Sequence, residues 1–146
     1  PKLREVLLAL YWELTAYGEV PAMLMALKDA GYNTGILSNG SPDMLDGAVS
    51  SAGLGDVLDT MISVEDIKVY KPDMAVYQMV LDRFECNADQ VLFVSSNGWD
   101  VAGSAAFGFS TLWVNRAGEP QDRLENGPRW VAPDLTGIPA LLEGLK

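Results

Sequence analysis

Val91-Leu92-Phe93-Val94 runs directly into Ser95-Ser96-Asn97-Gly98-Trp99-Asp100. An unbroken apolar run without polar alternation predicts a strand buried on both of its faces, because a half-exposed strand would alternate. Two serine hydroxyls, an amide, an indole and a carboxylate then crowd the strand's end, and a small-residue helix from about Trp99 to Phe107 follows. This is a richer set of groups than a helix cap needs. The next strand is Thr111-Leu112-Trp113-Val114, so a strand, a helix and a strand occupy fewer than thirty residues.

The same unit recurs upstream. Thr34-Gly35-Ile36-Leu37 reads as a strand closed by Ser38 and the turn Asn39-Gly40, and Ser41-Pro42-Asp43 opens a helix as cap, first-turn proline and dipole-matched acid. That helix turns Leu45, Ala48, Val49 and Ala52 inward. Thr60-Met61-Ile62-Ser63 is the next strand, followed by a loop to Lys71-Pro72-Asp73 and a helix carrying Val76, Val80 and Phe84 inward. Before all of these, Leu3, Val6, Leu7, Leu10, Leu14 and Tyr17 recur at helical spacing, which predicts an opening helix ending near Gly18. A second helix fits 21 to 30, with Leu24 and Leu27 on one face and Gly31 as its cap. Downstream, 118–129 is loop, Trp130-Val131-Ala132 an edge strand, and Ile138, Leu141, Leu142 and Leu145 mark a closing helix. Alternating apolar strands and amphipathic helices define an α/β fold with a parallel sheet covered on both faces.

Composition narrows the chemistry. The chain has 146 residues, 49% of them hydrophobic, with 10 basic against 20 acidic side chains and a net charge of -10. Such a charge repels phosphate backbones and anionic lipid surfaces, which argues against nucleic acid and membrane partners. A lone cysteine, Cys86, makes no internal disulfide, so nothing requires an oxidising compartment, and a cytoplasmic location is expected. The absence of histidine removes the Ser-His-Asp and Cys-His machineries and most transition-metal sites. Carboxylates, lysine, hydroxyls and amides must carry the chemistry. No apolar run is long enough to span a bilayer, and the start Pro1-Lys2-Leu3-Arg4-Glu5 resembles neither a signal peptide nor an initiator start, which reads as a cut.

Parallel sheets bind ligands at the carboxyl ends of their strands. Ser38 and Asn39 end one strand, Ser95, Ser96 and Asn97 end another, and Lys71 follows a third after a loop. Each segment also has an ordinary structural reading. Asn39-Gly40-Ser41-Pro42 is turn chemistry with a cap, Lys71 is a solvated lysine at a helix start, and Tyr77, Cys86, Trp113 and Trp130 are packing residues.

In this order and spacing, the segments resemble the haloacid dehalogenase superfamily from its second motif to its end. Leu37-Ser38-Asn39-Gly40 resembles motif two, Tyr70-Lys71-Pro72-Asp73 motif three, and Val94 to Asp100 with Gly103-Ser104 motif four. Ser-Ser-Asn-Gly-Trp-Asp is similar to the L-2-haloacid dehalogenases in particular. The resemblance implies a Rossmann-like core over 21–146 and the end of a cap region over 1–20. Phosphatases of the superfamily carry in motif four an Asp that helps hold magnesium. Here Ser96 stands at that position, and a neutral hydroxyl is a poor ligand for a hard cation. The expectation is a metal-free, cofactor-free (S)-2-haloacid dehalogenase that converts short 2-haloalkanoic acids to 2-hydroxy acids.

The roles implied by the resemblance follow residue by residue. Ser38 binds the substrate carboxylate, and Asn39 with Trp99 faces the leaving halide. Lys71 keeps a carboxylate nucleophile ionised, and Tyr77 orients the site. Ser95, Asn97 and Asp100 arrange the water that hydrolyses the ester intermediate, with Asp100 either activating that water or chiefly positioning Lys71. The family's nucleophile lies in an Asp-x-x-x-Thr-like motif ending a central first strand, between the strands at 34–38 and 91–95. No such segment precedes residue 34, and the cap arginine near the halide is likewise missing. The nucleophile is therefore expected outside this chain, the chain alone inactive, and the complete enzyme a homodimer. Two alternatives stand beside this reading: a phosphatase-like hydrolase of the same superfamily, and a non-catalytic truncated binding module.

Overall fold

A computed structural model of the chain describes residues 2–10, 12 and 14–145. The elements in order are α1 (Lys2–Ala9), α2 (Val20–Asp29), β1 (Gly35–Ser38), α3 (Pro42–Ser51), β2 (Thr60–Ser63), α4 (Met74–Phe84), β3 (Leu92–Ser95), α5 (Gly98–Phe107), β4 (Ser110–Val114), β5 (Trp130–Ala132) and α6 (Ile138–Glu143). Every strand pairing is parallel. Contacts divide the chain into two compact units, Pro1–Asp66 and Ile67–Lys146.

In the first unit, β1 pairs with β2 in the register Ser38 opposite Ser63. Thr34 fixes the start of this ladder: its backbone N–H donates to Asp59 Oδ2 at 2.6 Å, its hydroxyl to the Val57 carbonyl at 2.8 Å, and its own carbonyl accepts from Asp59 N–H at 2.9 Å. These bonds satisfy backbone groups at the strand's entrance that would otherwise lack partners. α3 begins as expected, with Ser41 in extended conformation accepting from Met44 N–H and Pro42 in the first turn. Met23, Leu24, Leu27, Val49, Leu54, Ile62 and Val64 are the unit's buried apolar residues.

The opening helix departs from expectation. The apolar periodicity extends to Tyr17, but α1 stops at Ala9, and Leu10, Leu14 and Tyr17 are exposed. Leu3, Val6 and Leu7 inside α1 are exposed too, so burial does not mark where the helix ends; beyond it the chain turns onto α3. The Trp12 ring lies on Gly47, where any Cβ would collide with it, and Ser51 Oγ donates to the Leu14 carbonyl at 3.1 Å. The reading of Pro1 as a cut falls outside the described residues.

In the second unit, β4 lies between β3 and β5, with Ser95 opposite Trp113 and Trp113 opposite Val131. α5 packs on β3, β4 and α4. Among the described strands, β1 pairs with β2 in the first unit, and β3 with β4 in the second. The core joins Val76, Tyr77, Val80, Phe93, Val101, Phe109 and Leu112. Tyr77 and Phe93 meet edge to face with ring centroids 5.7 Å apart, and Phe93 stacks on Phe109 at 5.8 Å. Residues 115–129 form a loop, three residues longer at its start than the 118–129 expected, pinned there by Asn115, whose side chain exchanges two 2.8 Å bonds with the Glu119 backbone. No described helix is long and apolar enough to cross a membrane.

Candidate active site

Asp100 sits in the first turn of α5, where a carboxylate is favoured by the helix dipole, yet only 3% of it is exposed. A buried carboxylate needs partners, and both of its oxygens have one. Oδ2 accepts from Lys71 Nζ at 3.0 Å, and Oδ1 accepts from the Tyr77 hydroxyl at 2.9 Å. The donors come from two places, Lys71 from the turn before α4 and Tyr77 from the first turns of α4 itself. Asp73 fixes the approach of α4, capping it through Ala75 N–H at 2.9 Å.

Lys71 is therefore not a solvated lysine at a helix start. Its side chain is 9% exposed, and its ammonium lies 5.1 Å from the centroid of the Phe93 ring. A cation over an aromatic face gains ~0.5–2 kcal/mol, more as water is removed. The Lys71–Pro72 peptide is cis. Gly103 lets α5 approach this turn: a Cβ there would stand 2.6 Å from the Tyr77 hydroxyl oxygen and 2.8 Å from Pro72 Cβ. Lys71, Tyr77 and Asp100 thus form one interlocked group, with Phe93 beneath the ammonium.

Burial pushes the Tyr77 phenol above its usual value of 10.0, and the neighbouring Asp100 charge and hydrogen bond push it the same way. Raising the folded-state value gives stability that is fully present below pH 10.0 and is lost as pH rises from there through the folded value. The unfolding free energy should consequently fall as pH rises above about 10. Tyr77→Phe should flatten that fall relative to the parent, as measured by denaturant titration at each pH. An equal slope in both proteins would show that the phenol is not held this way.

Ser95, at the end of β3, accepts from Asn97 N–H at 3.2 Å; Ser96 and Asn97, on the turn into α5, and Trp99, in its first turn, are exposed. In the first unit, Ser38 ends β1 and its hydroxyl accepts from Gly40 N–H at 3.0 Å, with Asn39 exposed between them. Each serine folds its own turn by a side-chain bond two residues on. A small hollow of about 10 Å³, lined by Gly98, Val101, Trp113 and Asp122 among others, has room for roughly one water. Neither Lys71 nor Asp100 lines it, so it is separate from their cluster.

The model of haloacid dehalogenase-like hydrolases matches residues 3–108. The chain belongs to the haloacid dehalogenase-like hydrolases. It is 46% identical over 140 residues to (S)-2-haloacid dehalogenase 1 of Pseudomonas sp. (strain CBS-3), covering 96% of this chain and 62% of that protein. It is 45% identical over 120 residues to (S)-2-haloacid dehalogenase 4A of Burkholderia cepacia, covering 82% of this chain and 52% of that protein. Among solved structures, L-2-haloacid dehalogenase from Xanthobacter autotrophicus with chloropropionic acid covalently bound superposes with a TM-score of 0.88 at 34% identity, over 93% of this chain and 64% of that one. The chain thus spans a little over half to under two thirds of the length of these relatives.

For a haloacid dehalogenase-like hydrolase, the second unit brings together three of the expected residues, Lys71, Tyr77 and Asp100, and places Ser95, Asn97 and Trp99 on the turn leading to Asp100. Ser38 and Asn39 occupy the corresponding turn of the first unit. Sequence reasoning missed Phe93 beneath Lys71. It also passed over the tight approach at Gly103, although Gly103 was quoted as part of motif four.

Proposed function

We propose that the full gene product is an (S)-2-haloacid dehalogenase acting on short 2-haloalkanoic acids. The observation that carries this is the buried Lys71–Asp100 ion pair, braced by Tyr77, in a chain whose motif-four carboxylate position holds Ser96. Names of the relatives point the same way.

In this reading a carboxylate nucleophile, supplied from outside residues 1–146, attacks C2 of the substrate. The carbon–halogen bond breaks with its electron pair leaving as halide, and the configuration inverts. Lys71 keeps that nucleophile ionised, while Ser38 binds the substrate carboxylate and Asn39 and Trp99 face the halide. Water then adds to the ester carbonyl. The acyl–oxygen bond breaks, releasing the 2-hydroxy acid and restoring the carboxylate, with the proton passing to solvent. Ser95 and Asn97 place that water. Asp100, with each oxygen already engaged, is suited more to fixing Lys71 than to taking the water's proton. Residues 1–20 then belong to the end of the cap and 21–146 to the core of a homodimeric, cytoplasmic enzyme.

Halide release from (S)-2-chloropropionate by the full-length gene product tests the proposal. Turnover should be unchanged in EDTA, because the position that would carry a magnesium-binding carboxylate is Ser96. No halide release, or a loss in EDTA that magnesium restores, would sink it.

A further inference from the structure

The last residue of each motif strand has a cross-strand partner that reaches past it to grip the main chain of the following turn. Ser38 pairs in register with Ser63, and Ser63 Oγ donates to the Gly40 carbonyl at 2.7 Å. Ser95 pairs in register with Trp113, and Trp113 Nε1 donates to the Ser96 carbonyl at 3.1 Å. Both donors are buried, Ser63 at 5% exposure and Trp113 at 7%. The Ser63 hydroxyl is itself aligned by the Glu65 N–H, which donates to it at 3.2 Å.

From this repeated arrangement we infer that Ser63 and Trp113 are positioning residues for the two substrate-facing turns. Each turn has an inner bond made by its own serine, Ser38 to Gly40 N–H and Ser95 to Asn97 N–H, and an outer bond from the neighbouring strand. The inner bond shapes the turn. The outer bond ties it to a strand whose register the ladder has already set, so the hydroxyl or amide on the turn inherits the rigidity of the sheet. A strand end without such a tie would leave those groups on a loop free to move by an ångström or more, and displacement of that size costs up to about 100-fold in rate.

The kinetic consequences rest on the functional reading above, whereas the geometry stands by itself. Ser63→Ala should loosen the turn assigned to the substrate carboxylate, raising KM for (S)-2-chloropropionate about tenfold with much less effect on kcat. Trp113→Phe keeps an aromatic side chain at this buried position but removes the N–H together with the indole's second ring. It should slow ester hydrolysis ~10- to 100-fold while leaving halide release in the first turnover near normal, so that the ester accumulates.

Amide hydrogen exchange on the full-length gene product gives a readout independent of activity. Gly40 should exchange faster in Ser63→Ala and Asn97 faster in Trp113→Phe, with the buried amides of Val80 and Ser104, inside α4 and α5, unchanged. Unchanged exchange at both turns, or a uniform acceleration across the core, would overturn the inference. So would equal slowing of both chemical steps in Trp113→Phe. If the parent protein releases no halide, the functional reading fails and the exchange at Gly40 and Asn97 alone decides. Because the two variants lie in different units, misfolding of one leaves the other to decide.

Discussion

Replacing Lys71 with alanine in the full-length gene product is expected to slow halide release by 10²- to 10³-fold, the loss of ~2.7–4 kcal/mol that accompanies removal of a preorganised electrostatic group. Stability should fall as well. Asp100 would keep a buried charge with its Lys71 partner gone, and breaking a buried pair on one side costs ~3–5 kcal/mol. The two losses separate in the variant combining Lys71→Met with Asp100→Asn, in which no uncompensated charge remains. Most of the stability should return in that protein, measured by denaturant unfolding, while turnover stays low. Turnover within tenfold of the parent in Lys71→Ala would remove Lys71 from the chemistry.

The second large effect concerns Gly103→Ala. In a helix interior this substitution ordinarily stabilises by ~0.5–1 kcal/mol. Here the opposite sign is expected. The added methyl would press on the Tyr77 hydroxyl at 2.6 Å and on Pro72 at 2.8 Å, and overpacking of this kind costs ~1–3 kcal/mol. It would also push Tyr77 off Asp100 and disturb the peptide that carries Lys71, so turnover should fall with stability. In a Tyr77→Phe background one of the two clashing atoms is gone, and the cost of the alanine should shrink by ~0.5 kcal/mol or more. A neutral or stabilising Gly103→Ala, by thermal or denaturant unfolding, would contradict the packing described.

Much of the fold and of the candidate site was legible because its residues sit where local signals are strongest. The run at Val91–Val94 and its polar terminus announced β3 and the turn into α5, and Thr60–Ser63 is a strand over the residues expected. Ser41-Pro42-Asp43 carried its own start signal for α3, and the structure uses it as such. Even the pairing of Lys71 with Asp100 could be anticipated from the resemblance. Features that depend on two distant segments meeting were hidden. A parallel strand that is apolar throughout does not declare which side chain faces which layer, so Phe93 gave no hint that it lies under an ammonium. Trp113 was read as core, and it is buried, but its indole N–H points to a carbonyl that only the register places within reach. The end of α1 was hidden as well: apolar spacing continued through Leu14 and Tyr17, and exposure gives no boundary, since Leu3, Val6 and Leu7 inside the helix are exposed too.

The outer bonds on both turns take hold of carbonyls, Gly40 O and Ser96 O, and leave side chains out of the grip. A carbonyl is common to every amino acid. The side chain at position 96 can therefore be exchanged, hydroxyl for carboxylate or amide, without giving up the tie that holds its turn. The side chains at this strand end are in that sense interchangeable hardware on a fixed mount, and such an arrangement lets one scaffold host different reactions through a few substitutions.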